Sequence, residues 1–219
     1  MGLIITVGIT KKGGTGKTTV LTNLVVDLIR SDLPMKVKVF DTDLENTASM
    51  DFFDARNENK NGFVYCEPIK SVKDLSEVIA FTEKDDKNVA FIDVAGLDSD
   101  ITASAVAIAD LLFIPFRMSS KDLKALGAFV DSINEAKENG ATMESYLVPN
   151  FLYANSKPSK IKNQLSPLIE SGFNYGTALK NRNSYIDSAD FGKSVTEYGD
   201  IKAGAEIRPL VEVILERLK

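Results

Sequence analysis

The chemistry of this sequence is concentrated in Lys11-Lys12-Gly13-Gly14-Thr15-Gly16-Lys17-Thr18-Thr19. Glycines at this density let a backbone turn until its N–H groups converge on phosphate oxygens, and a helix opening behind them adds positive potential. At this spacing Lys17 reaches the β- and γ-phosphates and the Thr18 hydroxyl ligates Mg²⁺. Two acidic signals match the loop. Asp41-Thr42-Asp43 follows the apolar run Val37 to Phe40, and Asp93 ends the run Val89 to Ile92. Two carboxylates one residue apart can divide the work, one near Mg²⁺ and one near an attacking water. A strand-end aspartate such as Asp93 binds Mg²⁺ through water. Other chemistries are excluded by composition. There is no histidine, which removes imidazole acid–base catalysis and histidine metal sites. Cys66 is the single cysteine, so no internal disulfide exists and a reducing compartment is expected.

The elements that position these residues follow from periodicity. Leu3 to Thr10 is a β-branched apolar run that suits a strand buried on both faces. A helix is predicted from about Gly16 to Arg30, with Val20, Leu21, Leu24, Val25 and Leu28 on one face. Further strands are expected at Val37 to Phe40, Gly62 to Cys66, Val89 to Ile92, Leu111 to Phe116, Ser145 to Phe151 and Phe173 to Leu179. Ser71 and Asp74 have capping-box spacing for a helix through about Glu83. Helical patterns also run through Ile101–Ala109, Lys121–Asn139, Pro158–Ser171 and Ala203–Leu218. Alternation of this kind means one doubly wound α/β domain over residues 1–219, with a mostly parallel sheet of about seven strands flanked by helices.

The loop departs from the standard G-x-x-x-x-G-K-[ST] pattern, because Lys11 stands where the first glycine belongs. The run built on Lys12 and Lys17 instead resembles the deviant Walker A motif of the ParA/MinD family of P-loop ATPases. The resemblance implies ATP and Mg²⁺ as ligands and a nucleotide-sandwich homodimer, with Lys12 reaching the partner's nucleotide as an arginine finger would. It makes Lys12, Lys17 and Asp43 the catalytic residues. The nucleotide is held by Lys12, Gly13, Gly14, Thr15, Gly16, Lys17, Thr18 and Thr19. Asp43 orients the water, while Thr18, Asp41 and Asp93 serve the metal. Leu44 and Glu45 replace the family's usual Pro-Gln after the acidic pair. Val94-Ala95-Gly96 resembles the switch that senses the γ-phosphate. Pro115, in a loop expected after the fifth strand, and Asn150 match positions close to the adenine.

The similarity spans the chain and is closest to short ParA-type partition ATPases such as ParF. The sequence starts at its first strand, so no N-terminal DNA-binding domain is expected. The resemblance implies ATP-dependent, non-specific DNA binding and hydrolysis stimulated by a ParB-like centromere-binding partner, in the cytoplasm and at the nucleoid. A net charge of −5 gives no global basic footprint. DNA contact would need a local patch, for which Lys157, Lys160, Lys162, Lys180, Arg182 and Lys193 are candidates. The alternative is a MinD-like ATPase positioning a complex at a membrane. No basic amphipathic tail favours it, since the last helix carries Glu206, Glu212 and Glu216. A metabolic P-loop ligase, such as a dethiobiotin-synthetase relative, and a non-hydrolysing scaffold are more distant readings.

Overall fold

The computed structural model describes residues 1–8, 14–95 and 99–219. Among them seven strands form one sheet: β1 (Leu3–Gly8), β2 (Lys36–Asp41), β3 (Tyr65–Pro68), β4 (Asn88–Val94), β5 (Leu111–Arg117), β6 (Glu144–Asn150) and β7 (Asn174–Tyr175). Their order is β3-β2-β4-β1-β5-β6-β7 and every pairing is parallel. Parallel neighbours need a crossover along a sheet face, and helices supply it. In chain order these are α1 (Lys17–Ile29), α2 (Ala48–Glu58), α3 (Leu75–Glu83), α4 (Asp100–Ala107), α5 (Ser120–Glu138), α6 (Pro158–Gln164), α7 (Ser166–Glu170), α8 (Ser184–Ala189), α9 (Val195–Tyr198) and α10 (Ile201–Arg217).

Side chains alternate between two cores. Ile5, Val7, Phe91 and Phe113 face α1 and α10, whose Leu21, Leu24, Ile207 and Ile214 are fully buried. Ile4, Ala90, Ile92, Leu112 and Ile114 face the other way, onto Val78 of α3, Ala105 of α4 and Leu126 and Ile133 of α5. Burial on both faces explains why these strands read as continuous apolar runs. The chain leaves β1 toward the β3 edge and later crosses from β4 over to β5. The carboxyl ends of β1, β2 and β4 therefore border the crevice where doubly wound sheets take ligands.

Several boundaries differ from the sequence expectation, each for a local reason. The third strand begins at Tyr65 rather than Gly62, because the Asn57 side chain bonds both the N–H (3.0 Å) and the carbonyl (3.1 Å) of Val64. The helix expected over Pro158–Ser171 breaks at Leu165. Pro167 has no N–H to offer the Asn163 carbonyl, which accepts from the Ser166 hydroxyl instead (2.9 Å). The last strand is only two residues long. Beside it Pro149 lacks a donor, so the edge continues with single bonds such as Leu179 N–H to the Pro149 carbonyl (2.8 Å). The fifth strand, expected to end at Phe116 with a loop around Pro115, runs one residue further, with Pro115 to Arg117 in register with Val148 to Asn150. Helices α2, α8 and α9 are additions to the expected set; α2 carries no clean apolar stripe, since Asp51, Asp54, Arg56 and Glu58 interrupt it.

Candidate active site

The loop between β1 and α1 presents an uncapped helix. Gly16 precedes Lys17 in the left-handed region, at φ 88°, and among the described residues no side chain caps the first amides of α1, whose first turn carries no acid. Those N–H groups and the positive end of the helix are thus available to an anion. Glycine is required at Gly16 for space as well as for φ, since a Cβ there would come within 2.0 Å of Asn150 Nδ2. Gly14 also has positive φ, at 77°. Lys11, Lys12, Gly13 and Gly96 lie outside the described residues.

Two carboxylates meet below the loop. Register pairs Asp41, ending β2, with Asp93 of β4. Both are buried, at 2% and 4% exposure. The Thr18 hydroxyl donates to Asp93 Oδ2 at 2.8 Å, and the Ser49 hydroxyl donates to the same oxygen. Burial pushes the Asp93 carboxyl above the usual carboxylate range, opposed by those two hydroxyls and the Lys17 charge. Asp41 is pushed up to about 7, chiefly by burial, with the Asp93 charge adding to it. Its Oδ1 accepts from the Asp43 N–H at 2.8 Å, while its buried Oδ2 has no partner among the described residues. Asp43 Oδ1 accepts from the Asn46 N–H at 3.0 Å, which holds the turn after β2. Thr42 ties that turn to β4: its N–H donates to the Asp93 carbonyl (3.0 Å) and its hydroxyl accepts from the Ala95 N–H (3.1 Å).

Thr18 and Asp43 line a cleft of about 240 Å³ together with Gly16, Lys17, Asn46 and Phe151. An orphaned, buried carboxylate oxygen next to a second carboxylate with a hydroxyl on it fits a hard divalent cation. Among the described residues no cluster of three acidic or sulfur ligands could hold a metal alone. A cation here would complete its shell with water and phosphate oxygens.

Family comparison bears directly on this arrangement. Residues 6–195 match the model of the CobQ/CobB/MinD/ParA nucleotide binding domain. The chain belongs to this family. The CobQ/CobB/MinD/ParA fold also explains the structural likenesses. The MinC:MinD cell division protein complex of Aquifex aeolicus superposes with a TM-score of 0.76 at 13% identity, covering 98% of this chain and 96% of that one. The cell division ATPase MinD of Pyrococcus furiosus gives 0.73 at 20% identity over the whole of both chains. A plasmid partition protein of Borrelia burgdorferi, solved with AMPPNP, gives 0.69 at 14% identity over 99% of this chain and all of that one. At such identities the likeness concerns the fold. No curated protein matches the sequence.

The other expected residues occupy varied positions. Asn150 ends β6 and its Nδ2 donates to the Thr15 carbonyl (3.0 Å), while its Oδ1 accepts from the Phe151 N–H (2.7 Å). Its amide therefore supports the loop backbone. Pro115 is buried within β5 opposite Val148, two residues short of the strand end. Of the basic candidates, Lys157, Lys160 and Lys162 are exposed at and along α6, and Lys180 Nζ donates to the Ala154 carbonyl (2.8 Å). Arg182 is held by Glu206, with an ion pair of 2.5 Å, and Lys193 is half-buried. Sequence reasoning missed Ser49, Phe151 and Arg117. The spacing of Thr47 and Asp51, whose side chains bond at 3.1 Å, was the available sign that a helix starts beside Ser49.

Proposed function

We propose that this protein is an ATP-hydrolysing DNA partition switch of the ParA type, its 219 residues working as one nucleotide-binding domain. The observation that carries the ATPase reading is the convergence of Thr18, Ser49, Asp93 and the half-unpaired Asp41 beneath an uncapped, glycine-turned helix start. Lys17 and the first amides of α1 would bind the phosphates. Thr18, Asp93 and Asp41 would hold Mg²⁺, whose charge neutralises phosphate oxygens. Asp43 lines the cleft beside them, where its carboxylate can orient a water for in-line attack. Lys12 is assigned to the partner protomer's nucleotide, so that hydrolysis depends on dimerisation and, through it, on a ParB-like protein.

The DNA role is supported by the three exposed lysines of residues 157–162, which follow the carboxyl end of β6 on the ligand side of the sheet. Pairing two protomers would double a patch that is weak in one, and cytoplasmic, nucleoid-associated protein would result. MinD-type positioning is the second reading, favoured by the likeness to MinD structures. Against it, α10 turns its apolar residues Ile207, Leu210 and Ile214 into the core, where they are not free to lie on a lipid surface. Gel shift with ATP-loaded protein, run beside co-sedimentation with anionic liposomes, separates the two. DNA binding with ATP but not ADP is expected; liposome binding without DNA binding would transfer the protein to the MinD reading.

A further inference from the structure

Arg117 ends β5 in register with Asn150, the last residue of β6, so both strand ends sit beside the phosphate loop. Its side chain is exposed, and among the described residues the guanidinium has no hydrogen-bond or ion-pair partner. It is nonetheless held in place. Its central carbon lies 4.4 Å from the centroid of the Phe151 ring, and Nη2 would be 3.3 Å from a Cβ at Gly14. The ring is itself fixed by an unusual backbone. Phe151 adopts φ +56°, in the left-handed region that non-glycine residues rarely enter. Asn150 Oδ1 holds the Phe151 N–H, and the ring edge approaches Gly16 at 3.4 Å from where its Cβ would stand. Strain of this kind persists where surrounding contacts over-determine it, and it clusters at ligand sites.

Charge around the cleft gives the guanidinium a task. Asp43 lines the cleft, Asp93 accepts from Thr18 of its wall and Asp41 pairs in register with Asp93, while among the described lining residues Lys17 is the only cation. A polyphosphate adds more negative charge to the same place. A planar guanidinium beside the loop answers this with bidentate bonds to phosphate oxygens, which a lysine cannot make. We propose that Arg117 is a phosphate-binding residue of the nucleotide site, supplied in cis by β5 and carried over the loop by the Phe151 ring. The assignment rests on the nucleotide reading above.

Calorimetric titration of Arg117→Ala, Arg117→Lys and Phe151→Ala with ATP, ADP, inorganic tripolyphosphate and adenosine tests it, with thermal melts to verify folding. Arg117→Ala should weaken ATP, ADP and tripolyphosphate together by about tenfold, with adenosine unaffected. Arg117→Lys should recover part of that loss, and Phe151→Ala should show a smaller loss for the same ligands. Affinities of Arg117→Ala within about twofold of wild type would overturn the proposal. So would a loss for ATP and adenosine that spares tripolyphosphate, because the side chain would then serve the base. If the wild-type protein bound neither nucleotide nor tripolyphosphate, the nucleotide reading would fail first and take this inference with it.

Discussion

Asp41 and Asp93 lie side by side at the ends of adjacent strands, buried and raised above the ordinary carboxylate range. Two such groups are both ionised only when a cation lies between or beside them; otherwise the pair keeps a proton. Chelation of Mg²⁺ should therefore abolish turnover and weaken ATP binding together, which fluorescence titration with and without EDTA would show. Asp43 differs from this pair. It lines the cleft without being buried, so Asp43→Ala should leave ATP affinity near wild type and lower phosphate release by about 10²-fold or more. Equal loss of affinity and rate would return Asp43 to a structural turn. Lys17→Ala should instead remove nucleotide binding altogether, since the loop's described cation is then gone. Among these residues Lys17, Thr18 and the three aspartates were legible from local spacing. Ser49 was not, because its bond to Asp93 spans 44 positions and depends on a helix whose polar sequence hid it.

At the scale of elements, the segment from Gly192 to Glu197 ties together the two helices that reach the site. Buried Arg56 of α2 donates to the Gly192 carbonyl and to Glu197, both at 2.8 Å, and also to the Asn61 carbonyl. From α1, Asn23 Oδ1 accepts the Val195 N–H, Asp27 accepts the Ser194 and Thr196 hydroxyls, and Arg30 beyond its end pairs with Glu197. Removing the guanidinium strands several acceptors at once. Arg56→Met should cost about 3 kcal/mol in urea unfolding. Gly192→Ala should also destabilise, because φ is +62° and a Cβ would lie 2.3 Å from the Arg56 backbone nitrogen. Burial raises the Asp27 carboxyl above its ordinary 3.8, with Ser194 and Thr196 opposing the shift. The folded state thus binds that proton more tightly than the unfolded chain does. Its contribution is complete below about pH 3.8 and is lost as pH climbs through the raised folded value. Asp27→Asn, measured by thermal melts across that range, should flatten the profile.

Over the whole molecule, a net charge of −5 sets a condition on any DNA role: the binding patch must be local. The structure narrows the six basic candidates. Arg182 is already bound by Glu206, Lys180 donates to the Ala154 carbonyl and Lys193 is half-buried, leaving the residues of α6 and its entry. Replacing Lys157, Lys160 and Lys162 by alanine should weaken ATP-dependent DNA binding. The slope of log K against log salt should fall by about 0.9 for each phosphate that is no longer neutralised. An unchanged slope in a salt series would move the interface elsewhere on the protein.

The phosphate chemistry and the doubly wound sheet could be read from the amino-acid order alone, because both are written in short-range patterns: glycines and lysines within nine positions, and apolar runs of strand or helix period. Where strands stop was less legible, since a proline without a donor or an asparagine competing for the backbone acts through particular partners. Folding was needed to bring Asp41 beside Asp93, to set Ser49 on Asp93 and to turn Asn150 onto the Thr15 carbonyl, 135 positions away. It also laid Arg117 and Phe151 against the loop. Strand order and register decide such neighbours, and these follow from how two buried faces pack at once rather than from any single stretch of chain.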